Sequence, residues 1–391
     1  MADTLTETND PIARMRAIRR DIHAHPELAF QENRTSDLVA EALTRAGIEV
    51  HRGLAETGVV GTLKNGDGPV IGLRADMDAL PIEEQSGAAH CSTHHGVMHA
   101  CGHDGHTAML IGAAEALAAS RNFRGTIHFI FQPAEENFGG GKRMVEEGLF
   151  KLFLCDAIFA LHNWPGLPAG RIAVQPGPMM ASYDSFTFTL KGVGGHAAMP
   201  ETTKDPVTTA AELVLALQTI VSRKISPHDP AVLTITQMHG GHTFNVIPEE
   251  MKVMGTVRCF SGEVRDFIRA EMLRVAEAVC GAHGVSVSLA YEEGYPSTIN
   301  TPAEADYAQR VASELVGAEH VDTGFRPSMA SEDFSLMLQE VPGAYIWLGA
   351  GLETKPLHHP EYDFNDDTLE TGRDLLILLA TNFQNGIQER T

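Results

Sequence analysis

The stretch from Cys101 to Glu136, CGHDGHTAMLIGAAEALAASRNFRGTIHFIFQPAEE, decides how the chain reads. Its middle, Gly105 to Ala119, is rich in Ala and Leu and reads as a helix. Thr126 to Phe131 is a short apolar strand that Pro133 stops. Side chains able to bind metals or move protons gather at both ends: Cys101, His103 and His106 before the helix, Glu135 and Glu136 after the strand.

The same alternation continues on both sides. Residues 11 to 46 read as two helices, the second running from Arg34 to Ala46 and ending at Gly47, a good helix-stop residue. Gly58 to Lys64, Pro69 to Ala75 and Ala157 to Leu161 read as further strands. After Thr301 come a helix at Pro302 to Val316, a strand at Tyr345 to Leu348 and a closing helix at Asp367 to Phe383. Strands alternating with helices imply an α/β fold, a sheet with helices on both faces.

The middle changes style. In Tyr183 to Leu190, Phe186, Phe188 and Leu190 fall on one strand face and Ser185, Thr187 and Thr189 on the other. A helix at Pro206 to Ser222, strands at Ala231 to Met238 and Met251 to Phe260, a helix at Glu263 to Gly281 and a strand at Val285 to Tyr291 complete a β-α-β-β-α-β order, the ferredoxin-like pattern. The expected organisation is an α/β domain over 1–182 and 297–391, interrupted by an α+β ferredoxin-like domain over 183–296. A chain of 391 residues suits two cores.

Composition narrows the partners. Hydrophobic residues make up 43% and charged residues 20%, as in ordinary globular chains. Only the polar start, Met1 to Asp10, reads as a candidate for disorder. Lys and Arg number 29 against 51 Asp and Glu, for a formal charge of −22, which repels nucleic acid and anionic membrane surfaces. No leader peptide is visible, and no apolar run reaches the ~18 residues a bilayer span requires. Five scattered cysteines, Cys91, Cys101, Cys155, Cys259 and Cys280, suggest no disulfide framework, so a reducing cytoplasm is the expected compartment.

Four segments concentrate ligand-type side chains: MHACGHDGH (Met98 to His106), FQPAEEN (Phe131 to Asn137), LHNWP (Leu161 to Pro165) and LHHPEYDFND (Leu357 to Asp366). Ligands gather at the carboxyl ends of strands in open α/β sheets, so segments distant in sequence can converge there. Imidazole and carboxylate suit zinc, manganese or cobalt, and a thiolate biases towards softer ions. Each residue also has a plainer reading. His106, the rival ligand one turn past His103, reads as a packing residue. Glu135 and Glu136 would suit the start of a helix as ordinary acids. His162 could pack on Trp164, and His358 competes with His359. His94, His95 and His99, upstream of the cluster, read as surface residues, with a stray metal contact as the alternative. Ser331 to Phe334, SEDF, reads equally as a helix start or a substrate wall.

The chain resembles the M20 metallopeptidase family, in the amidohydrolase branch of hippurate hydrolases, N-acyl-amino-acid amidohydrolases and auxin-conjugate hydrolases. The motifs are DIHAHPELAFQE from Asp21, LRADMDALPI from Leu73, CGHDGH from Cys101, QPAEE from Gln132, GGHAAMP from Gly194, FNVIPEE from Phe244 and SEDF from Ser331. The resemblance implies a zinc-exopeptidase-like mixed sheet with an inserted lid domain that also carries a homodimer contact. It implies metal ligands Cys101, His103, Glu136, His162 and His358, with Cys101 bridging two divalent cations. Zinc is the expected metal, with manganese, cobalt or nickel as alternatives. It implies Glu135 as general base, Asp78 as an orienting carboxylate, and His196 at the scissile carbonyl, from its own subunit or a partner. Asn245 and Arg258 would contact the substrate, a small N-acyl amino acid. The rival functions are a dipeptidase or aminopeptidase of the same family, a non-catalytic binding protein on the same scaffold, and a hydrolase using Cys101 as nucleophile.

Overall fold

The computed structural model describes residues 10–136 and 139–388. The polar start lies outside these apart from Asp10, whose side chain accepts the Ile12 main-chain N–H and caps the helix Pro11–Ala24. The chain forms two compact units. One comprises the chain up to Met179, Ile299–Arg326 and the chain from Asp333; the other comprises Met180–Thr298 and Pro327–Glu332.

The first unit is built on an eight-stranded mixed sheet. Its order is Glu49–Leu54, Gly58–Asn65, Gly125–Gln132, Val70–Asp76, Ala157–Pro165, Gly343–Gly351, Ile172–Ala173 and Val321–Asp322. Four neighbours run parallel, from Gly125–Gln132 to Gly343–Gly351, while Glu49–Leu54 and Gly58–Asn65 extend the sheet antiparallel. Both faces of the parallel centre are covered, which explains apolar runs such as Ala157 to Leu161 that do not alternate. Ile71, Leu73, Ala75, Ile127, Phe129 and Phe131 share a core with Met15 and Ile22 of Pro11–Ala24, Leu43 of Asn33–Arg45, Leu110 of His103–Ser120 and Leu376 of Leu369–Gln388. Arg74 alternates to the other face, its guanidinium 5.6 Å from the Phe334 ring.

Some elements were not legible in the sequence. Glu49–Leu54 is an edge strand whose residues are mostly exposed, so it carries no apolar alternation. Gly140–Glu146 is helical despite opening on two glycines, which tertiary packing overrides. The closing helix begins at Leu369, after a 3-10 turn at Asp366–Thr368 that the Asn365 side chain caps.

The second unit is a four-stranded antiparallel sheet ordered Ala231–His239, Glu250–Cys259, Asp184–Lys191, Ser286–Glu293. The first and third strands in sequence lie side by side in the centre, as in ferredoxin-like folds. Phe186, Phe188 and Leu190 face a core shared with Leu213 and Leu217 of the helix Pro206–Lys224 and Ile268 and Met272 of Gly262–Ala282. No helix among the described residues is long and apolar enough to cross a membrane.

Candidate metal centre

The parallel strands of the first unit end along one rim, with Asp76 opposite Gln132 and His162 opposite Trp347. The buried helix His103–Ser120 opens at Gly102, whose φ of 89° is in the left-handed region. A Cβ there would lie 2.4 Å from Asn163 Nδ2 and 2.6 Å from Tyr362 Oη. Only glycine fits, and it sets Cys101 and His103 on either side of the turn.

Cys101, His103, Glu136, His162 and His358 converge at this rim. The Cys101 thiol lies 3.5 Å from His162 Nε2. Glu136 Oε1 lies 3.3 Å from His358 Nε2 and 3.8 Å from His103 Nε2. One donor atom from each of Cys101, Glu136 and His358 falls within a 4.8 Å span, as does one from each of His103, Glu135 and Glu136. Ligands bound to one ion at about 2.0–2.3 Å stand roughly 3–4 Å apart, so these spacings suit coordination.

Two observations test whether a cation fits. Glu136 Oε1 and His103 Nε2 are buried yet make no hydrogen bond of good geometry; Glu136 Oε1 has only charge contacts, with His358 at 3.3 Å and His103 at 3.8 Å. The electrostatics also call for positive charge. Burial, with Glu136, Glu135 and Asp76 nearby, pushes the Cys101 thiol well above its usual range. Burial opposes protonation of His103, yet Asp76, Asp78 and Glu136 lift it to about 10. The donor set is one that divalent cations accept.

A surrounding layer aims these groups. His103 Nδ1 meets Asp78 Oδ1 at 3.1 Å, and the other Asp78 oxygen accepts the Glu136 main-chain N–H at 3.0 Å. His162 Nδ1–H donates to the Asn163 carbonyl at 2.7 Å, leaving the Nε2 lone pair towards Cys101. Burial and the adjacent His106 hold His162 well below the usual imidazole range, which keeps that lone pair unprotonated. Both nitrogens of His106 are engaged, Nδ1 with Asp76 at 2.6 Å and Nε2 with the Asn163 N–H at 2.9 Å. His359 Nδ1 accepts the Glu361 N–H, while His358 is the one that approaches Glu136.

The turn after the strand Gly125–Gln132 carries Glu135 and Glu136. Ala134 within it has φ 54°, and His358 has φ 65°. A left-handed backbone costs a non-glycine residue roughly 1–2 kcal/mol, and such strain concentrates at functional sites. Fixed contacts hold the turn. Glu32 Oε1 accepts the Ala134 N–H at 2.9 Å, and the Ala134 carbonyl accepts Gly140 N–H at 2.9 Å. Burial and the charge of Asp78 push the Glu32 carboxyl up to about 7, although its hydrogen bonds act against this. Asp333 does not cap the helix Phe334–Glu340. It binds Arg74 at 3.2 Å, the Gln132 amide at 2.7 Å and the Gly141 N–H at 2.7 Å. Its main-chain N–H reaches Glu135 Oε1 at 3.4 Å.

Just past His162, Trp164 stacks on Trp347 with centroids 3.9 Å apart, and Phe325 lies 4.7 Å from Trp347. Behind the rim, His23 Nδ1 lies 2.8 Å from Asp104 and Nε2 3.2 Å from Glu84. His99, expected at the surface, lies instead in the buried run leading to Cys101; neither nitrogen has a hydrogen bond, and burial holds it neutral, at about 3.

His196, Asn245 and Arg258 belong to the second unit. His196 is exposed, in a short strand Gly195–His196 paired with Val246–Ile247. Its Nδ1 accepts the Ala198 N–H at 3.0 Å, which leaves Nε2 as the outward donor. Asn245 flanks it, its carbonyl accepting the Ala197 N–H at 3.0 Å. Arg258 lies over the Tyr183 ring at 4.9 Å and donates to the Met329 carbonyl at 2.8 Å.

Comparison with known proteins places the chain. The model for peptidase family M20/M25/M40 matches residues 72–382. A hippurate hydrolase of Campylobacter jejuni is 40% identical over 94% of this chain and 95% of its own. An N-acetylcysteine deacetylase of Bacillus subtilis is 40% identical over 93% and 95%. A solved Bacillus subtilis structure, described as a dinuclear metal binding peptidase from the M20 family, matches with a TM-score of 0.85 at 35% identity, covering 96% of this chain and 99% of that one. With a family match over residues 72–382 and relatives 40% identical over nearly the whole chain, the chain belongs to peptidase family M20/M25/M40.

Proposed function

We propose that the protein hydrolyses the amide bond of small N-acyl amino acids, using two divalent cations held by Cys101, His103, Glu136, His162 and His358. The observation that carries this reading is the pair of buried atoms His103 Nε2 and Glu136 Oε1, neither of them hydrogen-bonded, set among Cys101, His162 and His358. Kinship with a hippurate hydrolase and an N-acetylcysteine deacetylase supports an amide substrate of this size. When bound, the cations supply a Lewis-acidic field that lowers the pKa of water and polarises a carbonyl.

The chain's own groups have separate tasks. Cys101 would hold a cation through its sulfur, as a thiolate, beside Glu136 and His358. Glu135, buried beside the ligand Glu136, is the general base that accepts the water proton and passes it to the leaving amine. Asp78 orients His103. His196 offers its Nε2–H to the developing oxyanion, and Asn245 and Arg258 contact the substrate. The inserted domain over 183–296, which falls within the second unit, is a lid, and its edge strand Ala231–His239 pairs across a two-fold axis in a homodimer.

The test is turnover of hippurate and N-acetyl amino acids by protein stripped with chelator and then reloaded with zinc, manganese, cobalt or nickel. The expected result is loss on stripping and recovery on reloading, with two cations bound per chain. Activity indifferent to chelation but abolished by thiol alkylation would replace this reading with Cys101 as nucleophile.

A further inference from the structure

We propose that Glu32 is a positioning residue for the proposed reaction: its buried carboxylate clamps the left-handed turn at Ala134 and thereby aims Glu135 and Glu136. This rests on the functional reading above for its kinetic consequence, though not for its structural one.

Glu32 sits at the N-cap position of the helix Asn33–Arg45, yet its side chain does not cap that helix. It reaches instead across 102 positions of sequence to the Ala134 N–H, at 2.9 Å. Its second oxygen accepts the Thr57 hydroxyl at 2.7 Å, and its own carbonyl accepts the Ser36 N–H at 2.8 Å. The carboxylate is therefore fixed at both oxygens and mounted on the start of a helix. Glu32 and Ala134 are both 0% exposed, so water has no access to take over the bond.

The turn needs this clamp. Ala134 has φ 54°, a conformation alanine leaves unless its neighbours over-determine it. The carbonyl side is fixed by Gly140 N–H, and Glu136 N–H is fixed by Asp78. The Ala134 N–H is a further anchor, donating to Glu32 at the strained residue itself. If that bond is lost, the peptide between Pro133 and Ala134 can rotate towards an ordinary φ, and the Glu135 and Glu136 side chains swing away from His103 and Cys101.

Three readouts on the full chain test this. Hydrogen exchange at the Ala134 amide needs no activity. In Glu32→Ala it should speed up by about tenfold or more relative to the parent. Affinity for zinc and kcat on hippurate should each fall by about tenfold to a hundredfold. Glu32→Gln keeps an oxygen for Ala134 and lets its amide face a reoriented Thr57 hydroxyl, so it should restore all three readouts to near the parent. Ala134→Gly, which removes the left-handed strain, should recover part of the loss in the Glu32→Ala background. If Glu32→Ala fails to fold, Glu32→Asp, which withdraws the carboxylate from Ala134, carries the same expectations. Parent-like exchange, zinc affinity and kcat in a folded Glu32→Ala or Glu32→Asp protein would overturn the proposal, as would Glu32→Gln as damaging as Glu32→Ala. If the metal-loaded parent turns over no substrate, the functional reading fails, while exchange and zinc affinity still decide the role of Glu32.

Discussion

Asp78 stands 3.1 Å from His103, Oδ1 to Nδ1, and so turns the opposite ring nitrogen towards Glu136. One carboxylate thus governs two of the proposed ligands, because its other oxygen holds the Glu136 main chain. Asp78→Asn keeps the shape but weakens both holds. The expected loss is about 10–100-fold in metal affinity, read by competition with a chromophoric chelator. Affinity equal to the parent would remove Asp78 from the support of the centre.

Glu135→Gln separates proton transfer from metal binding. With the general base gone, hydrolysis should drop by about 10²-fold or more. The metal content, set by other side chains, should stay at the parent value by elemental analysis. Activity within about tenfold of the parent would refute the role.

Gly102→Ala places a methyl group against Asn163 and Tyr362 at a positive φ. Both effects are unfavourable, and the expected destabilisation is about 3 kcal/mol or more. Thermal unfolding of metal-free protein measures it, and the same variant should bind metal poorly because Cys101 and His103 flank the displaced turn. An unchanged melting temperature would contradict the steric argument.

The stability of the metal-free protein should fall between neutral and mildly alkaline pH through His23. Burial alone drives this imidazole down, but Asp104 and Glu84 raise it from 6.5 to about 9. The folded value exceeds the unfolded one. The stabilisation is therefore full below pH 6.5 and lost as pH rises through about 9, with a ceiling of about 3 kcal/mol. Urea unfolding across this range should show the decline in the parent and a flatter profile in His23→Gln. Equal slopes would refute the assignment.

His196→Ala should lower kcat by about 10²-fold, the scale of losing one oxyanion donor, without altering metal content. An unaffected kcat would take this histidine out of the reaction.

Much of the fold was legible because its determinants are local. The alternation of Phe186, Phe188 and Leu190, the Ala-rich helix after Cys101 and the strand stopped at Pro133 each announce themselves within a dozen residues. That the four ligand-bearing segments could converge followed from strand ends sharing one rim, whereas the choice of Cys101, His103, Glu136, His162 and His358 within them came from the family resemblance. The supporting layer was not legible. Nothing near Glu32 in sequence points to Ala134, and nothing near Asp333 points to Arg74 or Gln132, since these are pairings of single buried side chains across the fold. The edge strand Glu49–Leu54 escaped for the opposite reason: it buries too little to leave a pattern.

The chain contains only two tryptophans, and they are the stacked pair Trp164 and Trp347. Every indole photon the protein emits therefore originates beside His162. Two indoles stacked 3.9 Å apart with nearly parallel planes couple their excited states, so their ultraviolet dichroism and emission depend on their mutual angle. A cation on His162, as proposed, would change the local field on Trp164, whose ring centroid lies 6.3 Å from the imidazole. If His162 takes a cation, the stacked pair is a built-in optical gauge, and occupancy would be followed by light without attaching a dye.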